Sequence, residues 1–169
     1  KHPGMYPVVF ANSCDTGEFD KEVCLASEMV LQPKGGGIAY LDVLCNTGVG
    51  YGLSAIDCAY TYPTNTTTWD AVVVAHEIGH NFGSWHTHSC EWAAANPPYI
   101  TPTTALLDTC QASEGGCTAA LPRLPPDKGT IMSYCHQLSG GVASNIRMDF
   151  HPVCVTRMRE QAAAAACAT

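Results

Sequence analysis

The chain has 169 residues, 46% of them hydrophobic and only 14% charged, with 15 Gly and 11 Pro; this suits one domain with a packed core and many turns. Eight basic residues against 15 acidic ones give a net charge of −7, and the Lys and Arg are scattered, which argues against a nucleic-acid partner gripped through its phosphates. The longest apolar runs, residues 71–75 and 162–168, fall far short of the roughly 20 residues a bilayer span needs.

Ten cysteines, an even count, point to an oxidising compartment, disulfide pairing and a secreted protein. No two cysteines are spaced as in zinc ribbons or fingers, so metal binding through thiolates is disfavoured. Lys1-His2-Pro3-Gly4 carries neither an initiator Met nor an apolar signal core, as expected of a mature form or an excised segment. Asn65-Thr66-Thr67 matches a glycosylation acceptor, a pattern frequent by chance.

In chain order, residues 6–11 (YPVVFA) predict a strand, and the Asn, Ser, Asp and Gly of residues 12–17 a loop. Residues 19–32 mix helical and strand periodicity, and their type stays open. After Gly35-Gly36-Gly37, residues 38–45 read as a β-rich run, residues 46–50 as a turn and residues 53–56 as a second strand in a hairpin-like pair. Thr67 and Asp70 have the form of a capping box, which predicts a helix starting near Thr68. Its body, residues 69–82, is apolar nearly all round at first, as in a helix buried through the centre of a domain, and Gly83 ends it. Residues 91–128 read as ordered loop held by disulfides. The chain closes with a helix from Pro152 at its first position to about Ala166, with His151 as a cap-region residue.

His76-Glu77-Ile78-Gly79-His80 lies on the central helix, where the i, i+4 spacing brings both imidazoles to one face. Gly83 can take the positive φ that reverses the chain, returning His86 as a third ligand. Three His with an open fourth position make a catalytic zinc site, one Zn2+ being the expected cofactor. Glu77 projects about 100° away around the helix and is placed to act on water instead. Chance assembly of HExxHxxGxxH from this composition is on the order of 4 in 100,000 shuffled chains.

HEIGHNFGSWH, followed by Gly129-Thr130-Ile131-Met132-Ser133-Tyr134, resembles the zinc motif and Met-turn of the metzincin metallopeptidases. GGGIAYLDVLC upstream and GTIMSYCH downstream resemble the secreted reprolysin-like branch. The similarity covers roughly residues 35–158. It implies an α+β, metzincin-like zincin fold: a twisted mixed sheet, a central zinc-binding helix, an irregular disulfide-linked C-terminal subdomain and a terminal helix. A single catalytic domain is expected over residues 1–169, with an upper subdomain 1–83 and a lower one 84–169. Because such proteins carry more chain ahead of the motif, part of the N-terminal sheet is expected to be lacking.

By the same resemblance Met132 forms an apolar base under the metal. Tyr134 occupies the position that binds zinc and then stabilises the transition state in the astacin-like and serralysin-like branches; reprolysin-like members do without it, which leaves a pocket wall as the other role. Thr87 stands where a family-specific polar residue ties the helix turn to the Met-turn. His88 and His136 are conceivable third ligands, but the spacing from Gly83 favours His86. Gly37, Ile38, Ala39 and Tyr40 belong to the edge strand on which an extended peptide adds through backbone hydrogen bonds. Cys110 with Cys117 is the local disulfide guess.

The expected activity is zinc-dependent endoproteolysis of protein or peptide substrates by metal-activated water, with Glu77 as general base and proton donor to the leaving amine. A monomer is expected. The alternative is a catalytically inactive zinc-binding recognition module, against which Glu77 argues.

Overall fold

The computed structural model describes residues 9–13, 36–46, 48–55, 68–101, 106–117, 124–165 and 167. The segment 19–32, the cap-rich stretch 61–67 with Asn65 and Thr67, and part of the proline-rich region lie outside the described residues.

The β-prone runs form β1 (Val9–Ser13), β2 (Gly37–Ala39) and β3 (Tyr51–Ala55). They make a small mixed sheet in the order β1-β3-β2, with β3 parallel to β1 and antiparallel to β2. The hairpin-like pairing is as expected, Ile38 lying opposite Leu53. β1 runs later than the predicted strand and takes in Asn12 and Ser13, read as loop. The run 38–45 is extended only through Ala39. The amides of Asp42 and Val43 donate to the carbonyls of His80 and Asn81, at 3.0 and 3.1 Å. The chain thus leaves the sheet edge to satisfy acceptors orphaned at the end of the next helix. Asp42 and Cys45 take φ of 58° and 66° there, which no continuing strand permits.

That helix, α1 (Trp69–Asn81), starts and stops where its sequence predicts; the expected capping box rests on Thr67, outside the described residues. Thr68 is the N-cap and makes no side-chain capping bond. The Trp69 indole instead donates to the Ala55 carbonyl at 2.9 Å, tying the first turn to β3. Asp70 in the first turn meets the positive end of the helix dipole. No residue from Thr68 to Phe82 is exposed, in keeping with the all-round apolar sequence. At the other end the Asn81 side-chain amide donates to the carbonyls of Tyr40 and Tyr51, at 2.9 and 3.3 Å, fastening the helix to β3 and to the chain just after β2.

The remainder is mostly irregular, with short helices α2 (Glu91–Ala94) and α3 (Gly141–Asn145), a 3-10 turn at Cys135–Gln137, and the terminal helix α4 (Pro152–Ala164). The His151 ring accepts from the Val153 amide at 3.2 Å, capping α4 as the sequence suggests. Three disulfides hold this region: Cys45–Cys167, Cys90–Cys117 and Cys110–Cys135. The guess of Cys110 with Cys117 is therefore wrong. Ser89 pairs with Glu114 as a β-bridge, which carries Cys117 to Cys90, while Cys110 turns inward to a cluster of Val72, Cys135 and Ile146. Cys154 stays a free thiol, fully buried, and burial pushes its pKa up to about 12. It packs with Trp92, Ile131 and Met132 in the second core cluster. The Arg157 guanidinium of α4 lies 3.7 Å over the Trp85 ring and donates to the Gly83 carbonyl, locking α4 to the reversal after α1.

Candidate metal centre

His76 and His80 stand a turn apart on α1 with ring centroids 4.8 Å apart. Past Asn81 the helix closes in a Schellman reversal: Gly83 at φ 86° donates to the His80 carbonyl at 2.8 Å, and Ser84 to that of Gly79 at 2.9 Å. The reversal brings His86 back over the helix. Its Nε2 lies 3.0 Å from His80 Nε2 and 3.1 Å from His76 Nε2.

The opposite ring nitrogens explain how three imidazoles tolerate this. Nδ1 of His76 faces the Ile131 carbonyl at 2.7 Å, Nδ1 of His80 faces the Ser84 carbonyl at 2.8 Å, and Nδ1 of His86 faces both Glu114 oxygens at 2.7 and 2.9 Å. Each acceptor requires the proton on Nδ1 and leaves a lone pair on Nε2. Burial, reinforced by the neighbouring imidazoles, holds His76 well below its ordinary pKa and lowers His80 to about 4, so both rings stay neutral. The three Nε2 atoms thus face one another, those of His80 and His76 at 3.0 and 3.1 Å from that of His86, a donor set that suits a divalent metal with an open coordination position.

Glu77 is buried, one of its oxygens has no hydrogen-bond partner, and burial raises its carboxyl to about 8. Gly37 of β2 sits directly against it, and a side chain at that position would overlap the carboxyl group. A cleft of about 380 Å³ opens here, lined by Gly37, Ile38, Ala39 and Leu41 together with the three imidazoles, Glu77, Trp85, Glu114 and Tyr134. Tyr40 is not among its lining residues; its ring packs edge-on against Tyr51 at 5.8 Å. Tyr134 lies 4.6 Å from the His86 ring and 6.0 Å from that of His76, and burial raises its hydroxyl to about 12, so it keeps its proton. A larger hollow of about 530 Å³, beside Leu44, Cys45 and Gln161, lies away from these groups.

Met132 is fully buried beneath the helix. Its sulfur occupies the space a Cβ on Gly79 would need, at 2.5 Å, with Phe150 at 3.0 Å behind it. Thr87 holds this turn in place, donating through its amide at 3.0 Å and its hydroxyl at 3.3 Å to the Met132 carbonyl. Gly79→Ala is therefore expected to cost about 1–3 kcal/mol of stability by overpacking. Thermal unfolding of the metal-free protein measures it, and an unchanged midpoint would show that Met132 yields freely.

Of the other histidines, His136 packs between Trp69 and Tyr134, outside the triad. His88 is fully buried and stacked on His86 at 5.1 Å, its Nδ1 without a hydrogen-bond partner and its Nε2 3.3 Å from Glu114 Oε1. Two site residues escape a reading of the sequence. Asn81 lies inside the motif as an unremarked polar residue, and Glu114 sits 28 positions from the histidine it contacts, where no local spacing signals it.

A helix-borne HExxH pair, a third histidine returned by a glycine turn and a buried carboxylate beside them define a metal-dependent hydrolase. Residues 13–148 match metallo-peptidase family M12, and the chain belongs to that family as a reprolysin-type zinc metallopeptidase domain. Its activity is that of a zinc-dependent endopeptidase. No curated protein matches the chain.

Proposed function

We propose that His76, His80 and His86 hold one Zn2+ through their Nε2 atoms and that Glu77 is the general base of peptide-bond hydrolysis. The observation that carries this reading is the convergence of three Nε2 atoms on one point in the cleft that Glu77 also lines. A zinc ion in such a site supplies a Lewis acid that acidifies water and polarises a carbonyl. Glu77 takes the proton of the attacking water and returns it to the leaving amine.

Among the described strands β2 lies at the edge of the sheet, and its outer backbone groups would let an extended peptide join as a further strand, with Gly37, Ile38 and Ala39 providing the contacts. Ile38 and Leu41, 49% and 40% exposed, would be covered by substrate. Tyr134, with its hydroxyl protonated, donates to the oxyanion of the transition state. Met132 supports the ligands from below. The fold is read as a metzincin-like zincin domain in which residues 1–83 and 84–169 form the two subdomains flanking the cleft. Three disulfides support an extracellular location, and none of the described helices is long and apolar enough to cross a membrane.

The test is cleavage of a quenched peptide library with products mapped by mass spectrometry. Internal cuts that a chelator abolishes and zinc restores are expected; zinc uptake without any cut would leave a recognition module. Tyr134→Phe is expected to lower kcat about 100-fold with KM little changed, the low end of what one oxyanion donor supplies. An unchanged kcat makes the phenol a wall of the pocket.

A further inference from the structure

The three imidazoles are not held alike. His76 and His80 are fixed by the helix that carries them and hydrogen-bond to neutral carbonyls. His86 lies in the irregular chain after the Gly83 reversal, and a full carboxylate grips its Nδ1 with both oxygens, at 2.7 and 2.9 Å. The same carboxylate reaches to 3.3 Å from Nε2 of the buried His88, against which His86 stacks with the two rings 3° from parallel.

Glu114 is delivered to this position by its backbone. Its amide donates to the His88 carbonyl at 3.0 Å, its carbonyl accepts from the Cys90 amide at 2.8 Å, and Cys90–Cys117 closes the loop three residues on. Gly115, at φ 96°, lies so close to Cys90 that a Cβ there would come within 3.2 Å of the Cys90 side chain. None of these contacts involves the Glu114 side chain, which is left free to serve the histidine.

We propose that Glu114 is the positioning residue of the third metal ligand: the disulfide-closed loop 90–117 presents its carboxylate to His86 Nδ1, fixing the ring's orientation and tautomer and strengthening Nε2 as a donor. The proposal rests on the reading of His86 as a ligand. A carboxylate on the far nitrogen makes an imidazole a better base toward a cation, and loss of such a partner typically weakens metal binding about 10–100-fold. It also adds a negative charge beside a site whose three direct ligands are neutral.

The experiment compares the unaltered chain with Glu114→Ala and Glu114→Gln by Zn2+ titration against a chromophoric chelator, alongside thermal unfolding of each metal-free protein. Glu114→Ala is expected to bind Zn2+ about 10–100-fold more weakly with the metal-free midpoint unmoved, and Glu114→Gln, which keeps an acceptor without the charge, to recover part of the loss. Equal affinity in Glu114→Ala and the unaltered chain overturns the proposal while leaving the metal site intact. A fall in affinity matched by a fall in the metal-free midpoint also overturns it, assigning Glu114 a role in folding. Failure of the unaltered chain to take up zinc overturns the reading of the site itself.

Discussion

Glu77→Gln should leave zinc bound at one ion per chain and lower kcat for peptide cleavage by at least about 100-fold, within the range that general-base catalysis spans. The three Nε2 atoms proposed as ligands lie on other residues, so metal content is not expected to follow activity. The amide matches the carboxylate in shape but cannot accept a proton from water. The same variant has a signature in the metal-free protein. Burial raises the Glu77 pKa from 4.5 to about 8, so between those pH values the folded state retains a proton that the unfolded state has lost. The contribution of this group is full below pH about 4.5 and is lost as pH rises toward 8. Glu77→Gln removes that loss, and its thermal midpoint should exceed that of the unaltered chain at pH 8 by more than at pH 5. Undiminished turnover would remove Glu77 from the mechanism.

His86→Ala should abolish peptide cleavage and weaken zinc binding by about 100-fold or more, since one imidazole carries a substantial share of the roughly 10–16 kcal/mol that structural zinc sites reach. His88→Ala should keep the ion. His88 shares a second potential cluster with His86 and Glu114, so the two variants separate the competing assignments. His88 is fully buried, and its removal is expected to lower the thermal midpoint through the cavity it leaves. Metal stoichiometry measured on folded protein distinguishes that loss from loss of a ligand. Retention of zinc by His86→Ala and its release by His88→Ala would reassign the third ligand.

The features legible in the sequence are those whose geometry is local. Two histidines four residues apart share a helix face whatever surrounds them, and a glycine three residues later permits only a few ways of turning back. The start of α4 was equally readable, because Pro152 and His151 act within one turn. What escaped depends on distant partners. The run 38–45 has strand composition throughout, yet Asp42 and Val43 are drawn off by the carbonyls of His80 and Asn81. Cys110 and Cys117 are neighbours in sequence, but burial of one and a β-bridge beside the other send them to different partners. The carboxylate of Glu114 meets His86 only once that bridge has formed.

The disulfide pattern bears on how such an enzyme endures its own kind. A backbone cut between Cys117 and Gly129 would divide the chain into two pieces, with the three imidazoles on one and Met132 on the other. Cys45–Cys167 and Cys110–Cys135 both span that stretch, so the pieces would stay fastened to each other. Self-digestion in this stretch would leave a nicked molecule still assembled, its scar visible on a gel only after a thiol reductant has been added.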